Sequence, residues 1–365
     1  MFRKVLWGLS PWVPRWLKDL FPERIKQLMR RQYLPRTVLI DIVGSCNLAC
    51  PSCPSGGPDK NRGGKMSLEM FRRILEKISK EQPGATVSIF NWTEPLIHPQ
   101  AAEFVEAIRH YGLKSRVSTN LNLLKDADRF AAASPDFMTI SLSGFTQPVY
   151  SIGHEDGDIE VVKENMRKLS DAFKKANATT ELTVYYHKYL HNLHEVDLMK
   201  QYAESLGFAF GSGWAYYMPV ERVQAYMEDR LPPEEVEFVE NRFALNIRRA
   251  VEATKPFRDE PCLFPTTQLT IDCRGNVQLC CAVYDANRFT IGSYLDSPWT
   301  EIESKLLNHS YCRECGQHGL HVYTSWHGHK KIHPIYEAIA EEECRRHGAN
   351  PGDKPAQEPV RARAH

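Results

Sequence analysis

From residue 37 to about residue 215, short apolar runs alternate with segments of helical period. Thr37 to Val43 is apolar and β-branched and predicts a buried strand. Ser67 then precedes Leu68, Phe71, Ile74, Leu75 and Ile78, whose spacing predicts an amphipathic helix with Ser67 as its N-cap. Thr86–Phe90 predicts a second strand, Ala101–Tyr111 a helix stopped by Gly112, and Ser115–Thr119 a third strand. Phe137–Ser143 predicts a fourth strand, and Ile159–Lys175 a polar helix. Glu181–His187 predicts a fifth strand, Leu193–Leu206 a helix, and Phe208–Trp214 a sixth strand. Six such units predict an α/β fold, a partial (β/α)6 parallel barrel.

The rhythm fails after residue 218. Residues 219–260 are charged and helical, punctuated by Pro232, Pro233 and Pro256. Residues 261–345 combine Cys, His, Gly and aromatics and read as a small α+β, Cys-rich module. The Pro- and Gly-containing segment 346–365 reads as a disordered tail. Residues 1–36 carry nine Lys/Arg against two acids, interleaved with Trp7, Trp12, Trp16 and Phe21. Such an extension fits a helix packed on the barrel, peripheral contact with the inner face of a membrane, or a docking site for a partner.

Overall charge narrows the function classes. The chain has 46 basic and 45 acidic residues, which argues against wholesale nucleic-acid binding. No apolar run approaches the roughly 18 residues of a transmembrane helix. The ten cysteines are grouped as CxxxCxxC, a Cys-Cys pair and CxxC, which points to metal binding in a reducing cytoplasm.

The run Cys46-Asn47-Leu48-Ala49-Cys50-Pro51-Ser52-Cys53 follows the first strand directly. Three cysteines so spaced can bind three irons of a [4Fe–4S] cluster and leave the fourth iron open for a ligand. On this motif and its strand the chain resembles the radical S-adenosylmethionine (SAM) superfamily. The resemblance implies reductive cleavage of SAM to a 5′-deoxyadenosyl radical, with electrons from a flavodoxin- or ferredoxin-type partner. It also places SAM-binding groups at successive strand ends. Asn91-Trp92-Thr93-Glu94-Pro95 stands where that family has Gly-Gly-Glu-Pro. Glu94 is retained for the methionine ammonium, while Trp92 and Thr93 replace the glycines. Ser118 and Asn120 after the third strand, and Ser141 and Ser143 after the fourth, resemble positions that meet the SAM carboxylate or ribose. Ser52 stands where many relatives have an aromatic residue against adenine, so adenine packing must come from elsewhere.

Cys262, Cys280, Cys312 and Cys315, with Gly275 between the first two, resemble the C-terminal Twitch module, a shorter relative of SPASM. There, four such cysteines close an auxiliary [4Fe–4S] cluster; four thiolates also suit zinc. Further SPASM cysteines are replaced here by His321 and Ser325. The resemblance implies removal of a substrate hydrogen atom followed by oxidation, epimerisation or dehydration. The expected substrate is a sugar, cyclitol or glycolipid-type small molecule. A peptide-modifying maturase and a non-catalytic iron–sulfur sensor are the alternatives. Cys281 is the candidate hydrogen-atom donor, or else packing. His187 is the candidate base, in a group with His191, His194 and Glu195 that equally fits a helix start with solvated histidines. Trp214, Tyr216 and Tyr217 fit either substrate stacking or core.

Overall fold

A computed structural model describes residues 37–56 and 63–349. The expectations for residues 1–36 and for 350–365 lie outside the described residues. The strands are β1 (Thr37–Ile40), β2 (Thr86–Ser88), β3 (Lys114–Thr119), β4 (Phe137–Leu142), β5 (Glu181–Lys188) and β6 (Ala209–Trp214), then β7 (Gln268–Ile271), β8 (Asn276–Gln278) and β9 (Thr290–Ser293). They form one sheet in the order β6-β5-β4-β3-β2-β1-β7-β8-β9. β1 to β6 pair in parallel, each neighbour reached through a helical crossover, which is the partial barrel expected.

Local chemistry explains the element ends. The helix Leu68–Glu81 starts where the Ser67 hydroxyl accepts the Met70 N–H, and it buries Phe71, Ile74, Leu75 and Ile78. The helix Ile159–Lys175 starts at Asp158, whose carboxylate accepts the N–H groups of Glu160 and Val161. Its buried face includes Ile159, Val162, Met166, Leu169 and Phe173. Each such apolar side chain contributes about 1.5–3 kcal/mol on burial. On β4 and β5, Met138, Ile140, Val184 and Tyr186 are fully buried, while the alternate residues are only partly covered. The latter stripe includes Ser141, Tyr185 and His187.

The Cys-rich module is continuous with the barrel sheet. β7 pairs in parallel with β1, Ile271 opposite Ile40, and the Asp41 N–H donates to the Ile271 carbonyl at 3.0 Å. A turn then returns the chain into antiparallel β8. Gly275 takes φ +82° there, and Asp272 Oδ1 accepts the N–H groups of Arg274 and Asn276, both at 2.9 Å. Parallel pairing of β7 with β1 brings the module beside the loop that follows β1. Between 219 and 260 lie the helices Val220–Met227, Pro233–Arg242 and Ile247–Ala253, and a last helix spans Ile332–Arg346. Among the described residues no helix is long and apolar enough to cross a membrane.

Candidate functional site

Cys46, Cys50 and Cys53 lie on the loop at the C-terminal end of β1, and all are free thiols. The loop turns tightly: the Cys53 N–H donates to the Cys50 carbonyl at 3.1 Å, and Gly56 N–H to the Cys53 carbonyl at 2.9 Å. A Cβ on Gly56 would lie 2.3 Å from the Cys50 carbonyl oxygen, so only glycine allows this approach. The thiols share one electrostatic neighbourhood. Burial pushes Cys46 up to about 12, and the charges of Glu94 and Cys53 push the same way. Burial also raises Cys50 well above the usual thiol range, reinforced by Cys53 and Cys46. Cys53 is raised by burial and partly restored by neighbouring N–H groups and by Arg222. Held as thiolates, as cluster ligands must be, these side chains would need a cation beside them, which bound iron would provide.

The ends of β2 and β3 face this loop. Glu94 is 3% exposed, and its carboxylate accepts the Leu96 N–H at 3.0 Å, the Thr119 hydroxyl at 2.7 Å and the Asn120 N–H at 2.8 Å. Burial pushes its pKa up to about 7, against those donors. No Lys or Arg among the described residues pairs with it. The Asn120 side-chain amide donates to Asn47 Oδ1 at 2.9 Å and lies 3.7 Å from Cys46 Sγ. Glu94 and Asn120 are thus brought to the cysteine loop, while Ser118 sits one turn of the pleat away on β3.

Asp41 was missed by sequence reasoning. It is 5% exposed, and its Oδ1 accepts the N–H groups of Asn91, Trp92 and Thr93 at 2.8, 3.1 and 3.3 Å, and the Thr93 hydroxyl at 2.7 Å. This one carboxylate shapes the segment that carries Glu94. Its only sequence signal was an acid at the end of an apolar strand. Tyr189 was also missed. Its hydroxyl lies 3.3 Å from Ser52 Oγ, and its ring stacks with His191 and packs edge-on against Phe243. An aromatic ring after β5 therefore stands beside the position where the cysteine motif lacks one.

Ser141 and His187 are brought together, Oγ to Nε2 at 3.0 Å, and Ser143 pairs with His154 Nδ1 at 2.6 Å. Burial lowers His187 to about 4 and His154 to about 3, so both rings are neutral at pH 7. Tyr185 lies 5.1 Å from the His187 ring, and its hydroxyl occupies the space that a Gly213 side chain would fill. Tyr216 packs against Tyr323, Trp326 and His327, and the Cys281 charge is felt at its phenol. Trp214 and Tyr217 are core. A helix does start there, at Leu193–Glu195 and Val196–Ser205, but the expectation of a solvated histidine is corrected for His191. Both His191 ring nitrogens are buried, and Glu195, 2% exposed, accepts the N–H groups of Phe145 and Thr146 and the Thr146 hydroxyl. These contacts hold the loop after β4 and leave Glu195 no opening to a substrate.

In the module, Cys312 and Cys315 share one face of the helix Ser310–Gln317, Cys280 follows β8, and Cys262 is exposed before β7. Burial raises Cys280 well above the thiol range, with Cys281, Cys262 and Cys315 adding to it. Burial likewise raises Cys315, with the charges of Cys262 and Cys312 adding to it. The four thiols thus share a second electrostatic neighbourhood. Among the described residues, no three His, Cys, Asp or Glu side chains are gathered as they would be around one metal ion. Cys273 and Cys344 are buried elsewhere, Cys273 3.3 Å from the Gly63 carbonyl.

Residues 40–197 match the model of the Radical SAM superfamily. That segment is a radical SAM domain. Its cofactors are a [4Fe–4S] cluster and SAM, and the thiols of the β1 loop with the unpaired Glu94 carboxylate fit them. Of curated relatives, an uncharacterized protein of Archaeoglobus fulgidus is 33% identical over 93 residues, 26% of this chain and 22% of its own length. The probable GTP 3′,8-cyclase of Methanocaldococcus jannaschii is 28% identical over 138 residues, 37% of this chain and 46% of its own. The chain thus spans less than half the length of these relatives. Streptococcus suis SuiB shares the fold at TM-score 0.53 and 13% identity, over 79% of this chain and 69% of SuiB. The radical SAM domain accordingly sits in a sheet of the expected partial-barrel type.

Proposed function

We propose that the protein is a radical SAM enzyme that acts on a C–H bond of a sugar, cyclitol or glycolipid-type small molecule. The reading rests most on one observation: a buried carboxylate, Glu94, has no cation partner among the described residues and stands beside a loop whose three thiols share one electrostatic neighbourhood. A buried charge is tolerated only when paired. The SAM ammonium is the partner that this position suits.

Cys46, Cys50 and Cys53 would hold the open cluster, and Cys262, Cys280, Cys312 and Cys315 an auxiliary one. When bound, SAM and the open cluster would supply a 5′-deoxyadenosyl radical that removes a hydrogen atom, and the auxiliary cluster an electron sink for an oxidation. The protein's own part is orientation and proton handling. Asn120 fixes Asn47 beside Cys46, and Thr119 and Leu96 fix Glu94. Tyr189 offers its ring for adenine in place of the aromatic residue that the motif lacks. Ser141 and Ser118 offer hydroxyls to ribose or carboxylate, whereas Ser143 is fully buried with its hydroxyl on His154. His187, neutral and bonded to Ser141, accepts a hydrogen bond from a substrate hydroxyl and can take its proton. Cys281 is the candidate donor of a hydrogen atom for an epimerisation.

The test is anaerobic incubation of the reconstituted protein with SAM, dithionite and a panel of deuterated polyols, scored by 5′-deoxyadenosine formation and its deuterium content. Deuterium transfer from a polyol supports the reading. Transfer from a precursor peptide and from no polyol would favour the maturase alternative. Absence of 5′-deoxyadenosine under all conditions would favour the non-catalytic one.

A further inference from the structure

The glycines expected before Glu94 are replaced by Trp92 and Thr93, and both replacements have defined partners. Thr93 is fixed on Asp41 through its N–H and its hydroxyl. Trp92 reaches out of the barrel instead. Its Nε1–H donates to the Val283 carbonyl at 3.0 Å, and its ring meets Tyr284 edge-on at 5.9 Å. Val283 and Tyr284 belong to the short segment that starts at Cys280 and Cys281.

That segment is held at other points as well. The Val220 N–H donates to the Ala282 carbonyl at 2.9 Å, and Glu221 Oε1 accepts the N–H groups of Tyr284 and Asp285 at 2.7 and 3.1 Å. Ser55, two residues beyond Cys53, donates to the Tyr284 hydroxyl at 3.5 Å. The segment carrying two module cysteines therefore touches both the β1 cysteine loop and the Asn91–Glu94 segment. Trp92 is the side chain that makes the second of these contacts.

We infer that Trp92 is a positioning residue, through which the 280–285 segment of the module sets the conformation of the SAM-holding segment 91–94. The two cysteine centres are then mechanically linked: disturbing the module loop disturbs SAM binding, with Trp92 as the link. The inference rests on the proposal that segment 91–94 holds SAM. It also explains why glycine is dispensable here. The backbone path that glycines would permit is imposed by Asp41 from one side and by Val283 from the other.

The test uses the full chain, reconstituted anaerobically, with SAM affinity measured by equilibrium dialysis without reductant. The spectrum of the reduced β1-loop cluster, with and without SAM, is the second readout. Trp92→Phe keeps the ring and removes the donor, and Tyr284→Leu removes the facing ring. Each is expected to weaken SAM binding about fivefold, the scale of one lost buried hydrogen bond or ring contact, with iron content unchanged. The double variant is expected to be only slightly weaker than either single one, because both break the same link. SAM affinity of Trp92→Phe equal to wild type, or fully additive effects in the double variant, would overturn the inference. Glu94→Gln separates the two levels. Lost SAM binding in Glu94→Gln with unchanged binding in Trp92→Phe refutes the link alone, whereas unchanged binding in Glu94→Gln refutes the assignment of the segment.

Discussion

Replacing Asp41 is expected to loosen the segment that carries Glu94 without unfolding the barrel. Its Oδ1 is approached by four donors, of which the Thr93 hydroxyl at 2.7 Å and the Asn91 N–H at 2.8 Å are the shortest. A carboxylate oxygen has two lone-pair directions, so about two bonds count fully. Hydrogen bonds to a charged group contribute roughly 1.5–3 kcal/mol each, which gives about 3–6 kcal/mol for the pair. Asp41→Ala forfeits this and leaves backbone donors unsatisfied at a buried site. Asp41→Asn keeps an acceptor of the same shape and loses only the charge, so about 1–2 kcal/mol is expected. Amide hydrogen exchange followed by mass spectrometry on peptides covering 91–93 reads the local opening directly. In Asp41→Ala exchange there should speed up by about two to four powers of ten, with peptides from β4 and β5 unchanged. Wild-type exchange rates at 91–93 in Asp41→Ala, with urea unfolding shifted by less than about 0.5 kcal/mol, would refute the reasoning.

Burial holds His154 and His187 neutral, with pKa values lowered to about 3 and about 4. A histidine depressed on folding gives stability that is complete above its unfolded pKa of about 6.5 and is lost as pH falls toward the folded value. Acidification from pH 8 to 5 should therefore cost about 2 kcal/mol for each ring; imidazole NMR signals titrating near 6.5 in the folded protein would contradict this. Glu94→Gln should weaken SAM binding about tenfold or more, since the ammonium then loses its countercharge, and equal affinity by dialysis would count against the assignment. Gly213→Ala should displace the Tyr185 hydroxyl, since the added methyl carbon would lie 2.3 Å from that oxygen. Turnover should then fall by about tenfold or more with SAM affinity unchanged, because Tyr185 packs on His187; wild-type turnover would show that this packing does not support the proposed base.

The barrel was legible because its signals are local. Ser67 before a helical apolar stripe and β-branched runs before the crossovers placed the elements to within a few residues. The pairing of β7 with β1 was not legible. A four-residue strand more than two hundred residues from its partner leaves no periodic trace, and its effect, placing the module beside the β1 loop, is purely three-dimensional. The cysteine groups could be read from spacing. Asp41 and Tyr189 could not, because the first is one acid after an apolar run and the second one aromatic among many. Trp92 was legible only as a departure, and its reason lies in Val283, 191 residues away along the chain.

The central claim is one open and one closed iron–sulfur centre in a single chain. The most direct measurement is iron and acid-labile sulfide per chain after anaerobic reconstitution, for wild type and for Cys46/Cys50/Cys53→Ala. The account predicts roughly eight irons falling to roughly four, with 5′-deoxyadenosine formation from SAM abolished in the variant. Roughly four irons falling to none would contradict it, leaving the module cysteines without a cluster and the proposed oxidation without its electron sink.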